Sequence, residues 1–425
     1  MENQTAMDRA LTATRGVAPH PGAPQEVLRV QRRVRPLSER SEMALSPNAL
    51  RQLEVLRNAE TGGVKGSLFG LMNRTRTAFG GRLLHHWVAH PLLERGLIIE
   101  RHDAVEELLS AFDLDGGGDA SGDGGDGAAA ATTTTEALRA VPGLLHGLPD
   151  VERVLTRTLH RTASPAELVS TLTALRKAHA HLQPLEEGGG VRAPLLRRTV
   201  MAAAAADVAE VVRGALAPLD ASAAAKGDKL TLFTCRERFP AVFDSRAAVT
   251  ERERELQGLL PTLKAQLRVP RLEFFTVSGI EHLIELPPDV KVPKTWIKVN
   301  STKKFNRYHP PEVLQGVHLL AVARENHAKT CEEAWGTYLG HLGAHYAPLR
   351  AAVRALATLD CLLALASLAN SPGYVRPHML QEDQDDAVRR LPVVASPRIQ
   401  NRLAVYPHLP SRSTSFPSCW SSNNN

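Results

Sequence analysis

The chain has 425 residues, and its 51 lysines and arginines against 45 aspartates and glutamates give a formal net charge of +6. That length is enough for two or three domains with real cores, and so small a charge excess makes local clustering more informative than the total. Aromatic residues make up only 4%, while alanine and leucine are abundant, which favours helix over sheet.

Cysteine usage and apolar runs narrow the class of protein. The four cysteines form no CxxC pair, which is typical of free thiols in a cytosolic or nuclear protein. The N-terminus holds no apolar stretch of signal-peptide length, and the sequence has no run of about 18 apolar residues. The sequence therefore predicts neither secretion nor a membrane span.

The first part of the chain reads as a polar tail followed by helices. Residues 1–42 contain Pro, Gly and a basic cluster, RVQRRVR, and predict a disordered tail. A helical pattern begins at Ser46, which we expect to cap a helix with Pro47 at its first position. It is interrupted at 115–135, DGGGDASGDGGDGAAAATTTT, a low-complexity run that predicts a flexible loop.

The second part alternates a long helix, a small β-element and another long helix. The helical pattern over Ala247–Arg268 gives way to LEFFTVSGIEHLIEL, which predicts two short strands joined at Ser278–Gly279. Beyond residue 311 a seam of period 3.5 predicts a long packed helix; its members are Trp335, Leu339, Leu342, Tyr346, Leu349, Val353 and Leu356. The sequence thus predicts a mainly α fold, a long helical bundle with an inserted element of two helical arms that carry a small antiparallel β tip.

A purely basic stretch lies between the two arms. KVPKTWIKVNSTKKFNRYHPP, residues 291–311, holds six lysines and arginines, three large aromatics and no acid. Such a tip can lie against nucleic-acid phosphates. The alternative is a solvated strand edge whose lysines deter aggregation. The residues alone leave these two interpretations even.

Other candidate chemistry is weaker. LLHHWVAHPLL contains His85, His86 and His90, of which His86 and His90 are four apart and could share a helix face, but a metal site would need a third ligand and the glutamate of a zincin motif is missing. The sequence contains neither G-x-x-x-x-G-K-[ST] nor G-x-S-x-G. It therefore indicates a binding or structural module, with no catalytic, cofactor or metal site predicted.

Ordered motifs carry a resemblance to a known family. LRQLEVLRNAETGGVKGSLFGLMNRTRTAFGGRLLHHWVAHPLLERGLIIERHDAVEELL resembles the start of the lever (core) domain of MutS mismatch-repair proteins, and LPDVERVL is similar to a later segment of it. FFTVSGIEHLIEL, VPKTWIKVNSTKKFNRYHPPEV and TLDCLLALASLA resemble the eukaryotic MutS homologue 3 subfamily. The resemblance extends over about residues 44–378 and implies a first lever part at 43–229, a clamp at 230–332 and a returning lever helix at 333–380. The composition adds the tail at 1–42 and a disordered or aberrant tail at 381–425.

The resemblance implies a function and partners. Full-length members bind mismatched or looped duplex DNA in the nucleus, pair with MutS homologue 2, and use ATP and Mg. Their clamp tips touch the DNA backbone, and the contacts carried onto this chain fall on Lys294, Lys298, Lys303, Lys304 and Arg307. We expect the chain as given to lack the ATPase and mismatch-reading domains, to be no enzyme and to hold no cofactor. The alternative is a helical interaction protein that binds a partner MutS homologue without touching DNA.

Overall fold

The computed structural model describes residues 41–113, 126–188 and 190–379. The helices of this part are α1 (Pro47–Gln52), α2 (Leu68–Met72), α3 (Ala78–Ala89), α4 (Arg95–Asp113), α5 (Asp126–Leu145), α6 (Val151–Leu159), α7 (Pro165–Glu187), α8 (Pro194–Ala203), α9 (Ala206–Leu216), α10 (Ala221–Lys226), α11 (Pro240–Leu267), α12 (Pro311–Gly343) and α13 (Tyr346–Ala369). The strands are β1 (Phe274–Val277), β2 (Ile280–Leu286), β3 (Ile297–Ser301) and β4 (Asn306–His309). The predicted mainly α fold with a small antiparallel β tip is confirmed.

Helix α13 lies at the centre of the main core. Its sequence, YAPLRAAVRALATLDCLLALASLA, is apolar on nearly every side, and it packs against α3, α4, α6 and α8. By length and composition this helix could cross a membrane, but 72% of its apolar window is buried inside the fold. A helix that is apolar all round is equally suited to the interior of a large helical unit. Its packing therefore accounts for its composition.

One buried carboxylate on α13 holds the start of α3. The Asp360 side chain is 1% exposed and accepts hydrogen bonds from the amides of Arg76 and Thr77, each at 2.9 Å, and from the Thr77 hydroxyl at 2.6 Å. The Thr77 hydroxyl in turn accepts from the Gly80 amide at 2.9 Å, which caps α3. A Cβ at position 80 would lie 2.1 Å from the Asp360 carboxylate, so the site requires glycine.

Two helix starts illustrate how local sequence sets the fold. Ser46 accepts a hydrogen bond from the Ala49 amide with Pro47 at the first helical position, so that prediction is confirmed. Ser164 and Glu167 form a complete capping box at the start of α7, in which each side chain bonds the other residue's backbone amide. These caps satisfy amide groups that have no partner inside the helix.

Helix α5 replaces part of the loop predicted at 115–135. It begins at Asp126, so the loop prediction is wrong over residues 126–135. This stretch contains a run of alanines, and alanine has the highest helix propensity of any residue type. Farther along, Leu138 and Val141 are buried in the main core, which gives the helix a tertiary anchor. Residues 115–125 of the predicted loop lie outside the described residues.

The single long helix predicted after the basic stretch is two helices, α12 and α13. The amides of residues 344 and 345 donate to carbonyls three residues earlier, which tightens the last turn of α12. Pro348, in the first turn of α13, has no amide to donate to the Ala344 carbonyl, so a continuous α-helix would lack one hydrogen bond here and a break is favoured. The seam residues on either side of the break nevertheless pack into one core, including Trp335, Leu339, Leu349 and Val353.

Helices α11 and α12 pack along each other and carry the sheet. The strands follow the order β1-β2-β4-β3, and all neighbouring pairs are antiparallel. Leu256 and Leu263 of α11, Ile284 and Leu286 of β2 and Leu320 of α12 form a small core beneath the sheet, separate from the main core. The division into lever and clamp stays a prediction, and its proposed boundary at 332 falls inside the continuous helix α12. The tails predicted at 1–42 and 381–425 lie almost entirely outside the described residues.

We predict that Asp360→Ala lowers the free energy of unfolding by about 3 kcal/mol, because two amides and one hydroxyl would lose their acceptor in a buried site. The measurement is the urea midpoint of the purified chain. Asp289→Ala is the matched control, since Asp289 is exposed and makes no hydrogen bond or ion pair with the described residues. Equal midpoints for the two variants would contradict the role given to Asp360.

Candidate nucleic-acid interface

The basic stretch forms the outer hairpin of the sheet. Strands β3 and β4 pair through Lys298 with Tyr308 and through Ser301 with Asn306, and β3 is an edge strand. Thr302 closes the turn: its amide and hydroxyl both donate to the Phe305 carbonyl, at 2.8 and 3.0 Å. This turn fixes the backbone of two consecutive lysines at the end of the hairpin.

The lysines predicted to contact phosphate lie on this hairpin and on the loop before it, and all of them are exposed; they are Lys294, Lys298, Lys303 and Lys304. Within the described part of the chain, none of them forms an ion pair or a side-chain hydrogen bond. Lys291 shares that exposure and that lack of a partner, although the family resemblance did not single it out. An exposed set of uncompensated cations is suited to backbone phosphates.

Arg307 is placed differently from the lysines. It lies directly opposite Glu285 of β2, and its Nη2 is 3.3 Å from the Glu285 Oε1, with only 16% and 19% of the two side chains exposed. Its Nε is buried without a hydrogen-bond partner in the described residues. The guanidinium is therefore turned toward a carboxylate inside the sheet, a position that does not fit the phosphate contact expected from the sequence. The signal missed was Glu285, which lies outside the acid-free stretch.

The three aromatics of the basic stretch separate into two groups. Trp296 is 7% exposed and Tyr308 packs beside it, with ring centroids 6.3 Å apart, in the small core. Phe305 is 39% exposed at the tip. The interleaving of aromatics and lysines in the sequence therefore reflects mainly the alternation of a sheet with one buried face.

The sheet is fixed to both arms by packing and by ion pairs. A Cβ at Gly316 of α12 would lie 2.5 Å from the Leu256 side chain, so glycine lets the two arms approach closely. Arg324 donates to Glu281 of β2 at 2.7 Å and to Glu253 of α11 at 3.0 Å. These two hydrogen bonds raise the pKa of Arg324 and link both arms to the sheet. The hairpin is thus held on a rigid base.

The histidines of LLHHWVAHPLL do not converge on a metal site. The His86 and His90 rings stack at 4.5 Å, His86 faces Glu42 at 3.3 Å, and His85 packs edge-on against Phe69. Across residues 41–113, 126–188 and 190–379, no group of three or more metal-ligating side chains is found together. The contacts of these histidines are those of packing and surface residues.

Comparison with known proteins decides the family. The model of a family described as MutS domain III matches residues 48–366, which is more than half of the chain. The chain belongs to the MutS family. This is a family of DNA mismatch-repair proteins, and the match includes both helical arms and the basic hairpin.

Similar proteins identify the branch of the MutS family. The chain is 38% identical over 363 residues to the DNA mismatch repair protein MSH3 of Arabidopsis thaliana, covering 82% of this chain and 34% of that protein. It is 32% identical to msh3 of Aspergillus terreus over 346 residues, covering 80% and 29%, and 32% identical to msh-3 of Neurospora crassa over 350 residues, covering 81% and 28%. These matches support the MutS homologue 3 subfamily. The chain spans about a third of the length of these curated relatives.

A double-mutant cycle tests the structural role of Arg307. We predict that Arg307→Met and Glu285→Gln are coupled by about 1 kcal/mol or more, because the pair is largely shielded from water. The exposed pair of Arg254 and Glu251 is the comparison, with a coupling below about 0.5 kcal/mol. Urea unfolding of the four variants of each cycle gives both values. Coupling no larger than in the exposed pair would show that Arg307 is free for other contacts.

Proposed function

We propose that this chain forms the lever and clamp of a mismatch-repair protein and that its clamp tip binds the backbone of duplex DNA. The proposal is supported most directly by exposed lysines of the hairpin and of the loop before it, which form no ion pair with the described residues: Lys294, Lys298, Lys303 and Lys304. Cations on an edge strand and a turn can reach phosphates without entering a groove. Such contacts position a protein on DNA and carry no sequence information.

The geometry supports a narrower set of proposed phosphate contacts than the sequence predicted. Arg307 forms an ion pair with Glu285, so we propose that only the lysines contact phosphate. We add Lys291 to this set because it is also exposed. Lysine is a strongly hydrated point charge on a flexible stem, which suits contacts of variable geometry with a backbone. We therefore propose weak binding that depends strongly on salt and little on base sequence.

The larger activity is also a proposal. We infer that the chain works in the nucleus, within an assembly that includes a partner MutS homologue, MutS homologue 2 in the family, and acts on mismatched or looped DNA. The 425 residues contain no P-loop motif, so we propose that they do not themselves hydrolyse ATP. Phosphate release from ATP at the background rate is the expected result for the purified chain.

We predict that Lys303→Glu with Lys304→Glu weakens binding to a 30-base-pair duplex and reduces the slope of log K against log salt concentration by about two, because each lysine neutralises about one phosphate. Fluorescence anisotropy over a salt series measures both effects.

The matched control for this prediction is Arg176→Glu with Lys177→Glu. It reverses two adjacent exposed cations on α7, far along the chain from the hairpin. An equal loss of affinity in both double variants would point to general electrostatics, and no loss in either would refute the proposed tip.

A second candidate function is partner binding through the helical arms without DNA contact. It is favoured by the exposed apolar side chains on α12: Leu314, Leu319 and Val322. Contacts of apolar surface persist in high salt, whereas phosphate contacts do not. The test is association with purified MutS homologue 2 in about 0.5 M salt, on the order of three times physiological ionic strength. Binding that persists there, and that is also unchanged by Lys303→Glu with Lys304→Glu, would favour this candidate.

A further inference from the structure

A pocket with a volume of about 340 Å³ opens between α3, α6 and α13. It lies in the group of helices that pack around the main core, here called the main unit, and not in the part that carries the basic hairpin. Its floor is apolar and consists of Phe79, Leu155, Val353 and Ala357, all of which belong to the main core. The side chains on its rim are mostly basic. A concave apolar floor with a few charged groups at its edge is the usual composition of a binding pocket.

One arginine on the rim is already neutralised. Arg82 donates to both carboxylate oxygens of Asp150, at 2.6 and 2.9 Å, and to Glu152 at 2.8 Å. These bonds raise the pKa of Arg82 and fix its guanidinium. Arg82 therefore shapes the rim and has little capacity left for a ligand.

The other two rim arginines have no such partner. Arg350 and Arg354 are exposed on α13, and neither forms an ion pair or a side-chain hydrogen bond with any described residue. Other arginines of the helices around the main core are of both kinds: Arg157 and Arg198 each have an acidic partner, whereas Arg176 has none among the described residues.

The two arginines also repel each other. Positions four apart on a helix are neighbours, with Cβ atoms about 5–6 Å apart, and like charges there are destabilising. An anionic ligand that lies between the two guanidinium groups would remove this cost. The two forks present several N–H donors in the geometry that carboxylate groups accept.

We propose that this pocket binds an acidic peptide segment of a partner protein, with one aspartate or glutamate between Arg350 and Arg354 and an adjacent large apolar side chain on the floor. Charge complementarity requires the acid, because the rim carries two uncompensated cations. The apolar lining favours a peptide over a free phosphate, since phosphate would leave the partly exposed side chains of Leu83 and Tyr346 uncovered. This site is separate from the proposed DNA contact and does not depend on it.

The test is selection of a phage-displayed random dodecapeptide library on the purified chain. We expect recovered peptides to combine at least one acid with a neighbouring Leu, Ile, Phe or Trp. Synthetic versions should bind Arg350→Glu, Arg354→Glu about 10- to 100-fold more weakly than the unmodified chain, because each lost bond involves charged groups on both sides. Recovery of no such peptide, or equal binding by the variant, would overturn the proposal.

Three controls make the result specific. Arg176→Glu with Lys177→Glu repeats the charge reversal away from the pocket and should leave peptide binding within about twofold. Arg350→Lys with Arg354→Lys keeps the charge but removes the fork geometry and should give an intermediate loss. Duplex DNA affinity should be unchanged in Arg350→Glu, Arg354→Glu; a loss matching that of Lys303→Glu, Lys304→Glu would assign the arginines to DNA and refute the peptide site.

Discussion

The main unit depends on burying one carboxylate without leaving it unsatisfied. Asp360 lies in the middle of the most buried helix of the described chain, where a charge is tolerated only if hydrogen-bond donors surround it. The residues that lead into α3 supply them, because the amides of Arg76 and Thr77 precede the helix and have no partner within it. The carboxylate thus gains hydrogen-bond donors and the amides gain an acceptor. These bonds hold together segments that are 284 residues apart in the sequence. Gly80 is required for this approach, since any Cβ would collide with the carboxylate.

The same core determines where the hairpin lies. The last turns of α12 enter the main core through Trp335 and Leu339, and its first turns enter the small core through Val313 and Leu320. One continuous helix therefore connects the two cores and fixes the position of the small core relative to the main core. The hairpin gains its stability from buried groups beneath it, so its exposed lysines need no acidic partners to keep it folded. That separation leaves their charge available to a ligand.

The sequence was informative about whatever depends on local pattern. Helical period, the cap at Ser46 and the strand pair around Ser278–Gly279 are local properties, and each appears in the structure. The apolar seam continues across the break before α13, so the periodic pattern does not reveal it, and Pro348 is the local signal that marks it. The partner of Arg307 was missed because cross-strand neighbours are far apart in sequence. The pocket at Arg350 and Arg354 could not be read from the sequence, since its three walls come from separate segments.

The two basic surfaces of this chain differ in the chemistry of their cations. The hairpin carries exposed lysines on an edge strand and a turn, whose flexible side chains suit contacts of variable geometry. The rim of the main-unit pocket carries arginines, whose planar forks impose a direction on a ligand, next to an apolar floor. The first arrangement suits a long polyanion whose phosphates are equivalent. The second suits a single acid in a defined apolar context, so the two surfaces can serve different ligands at the same time.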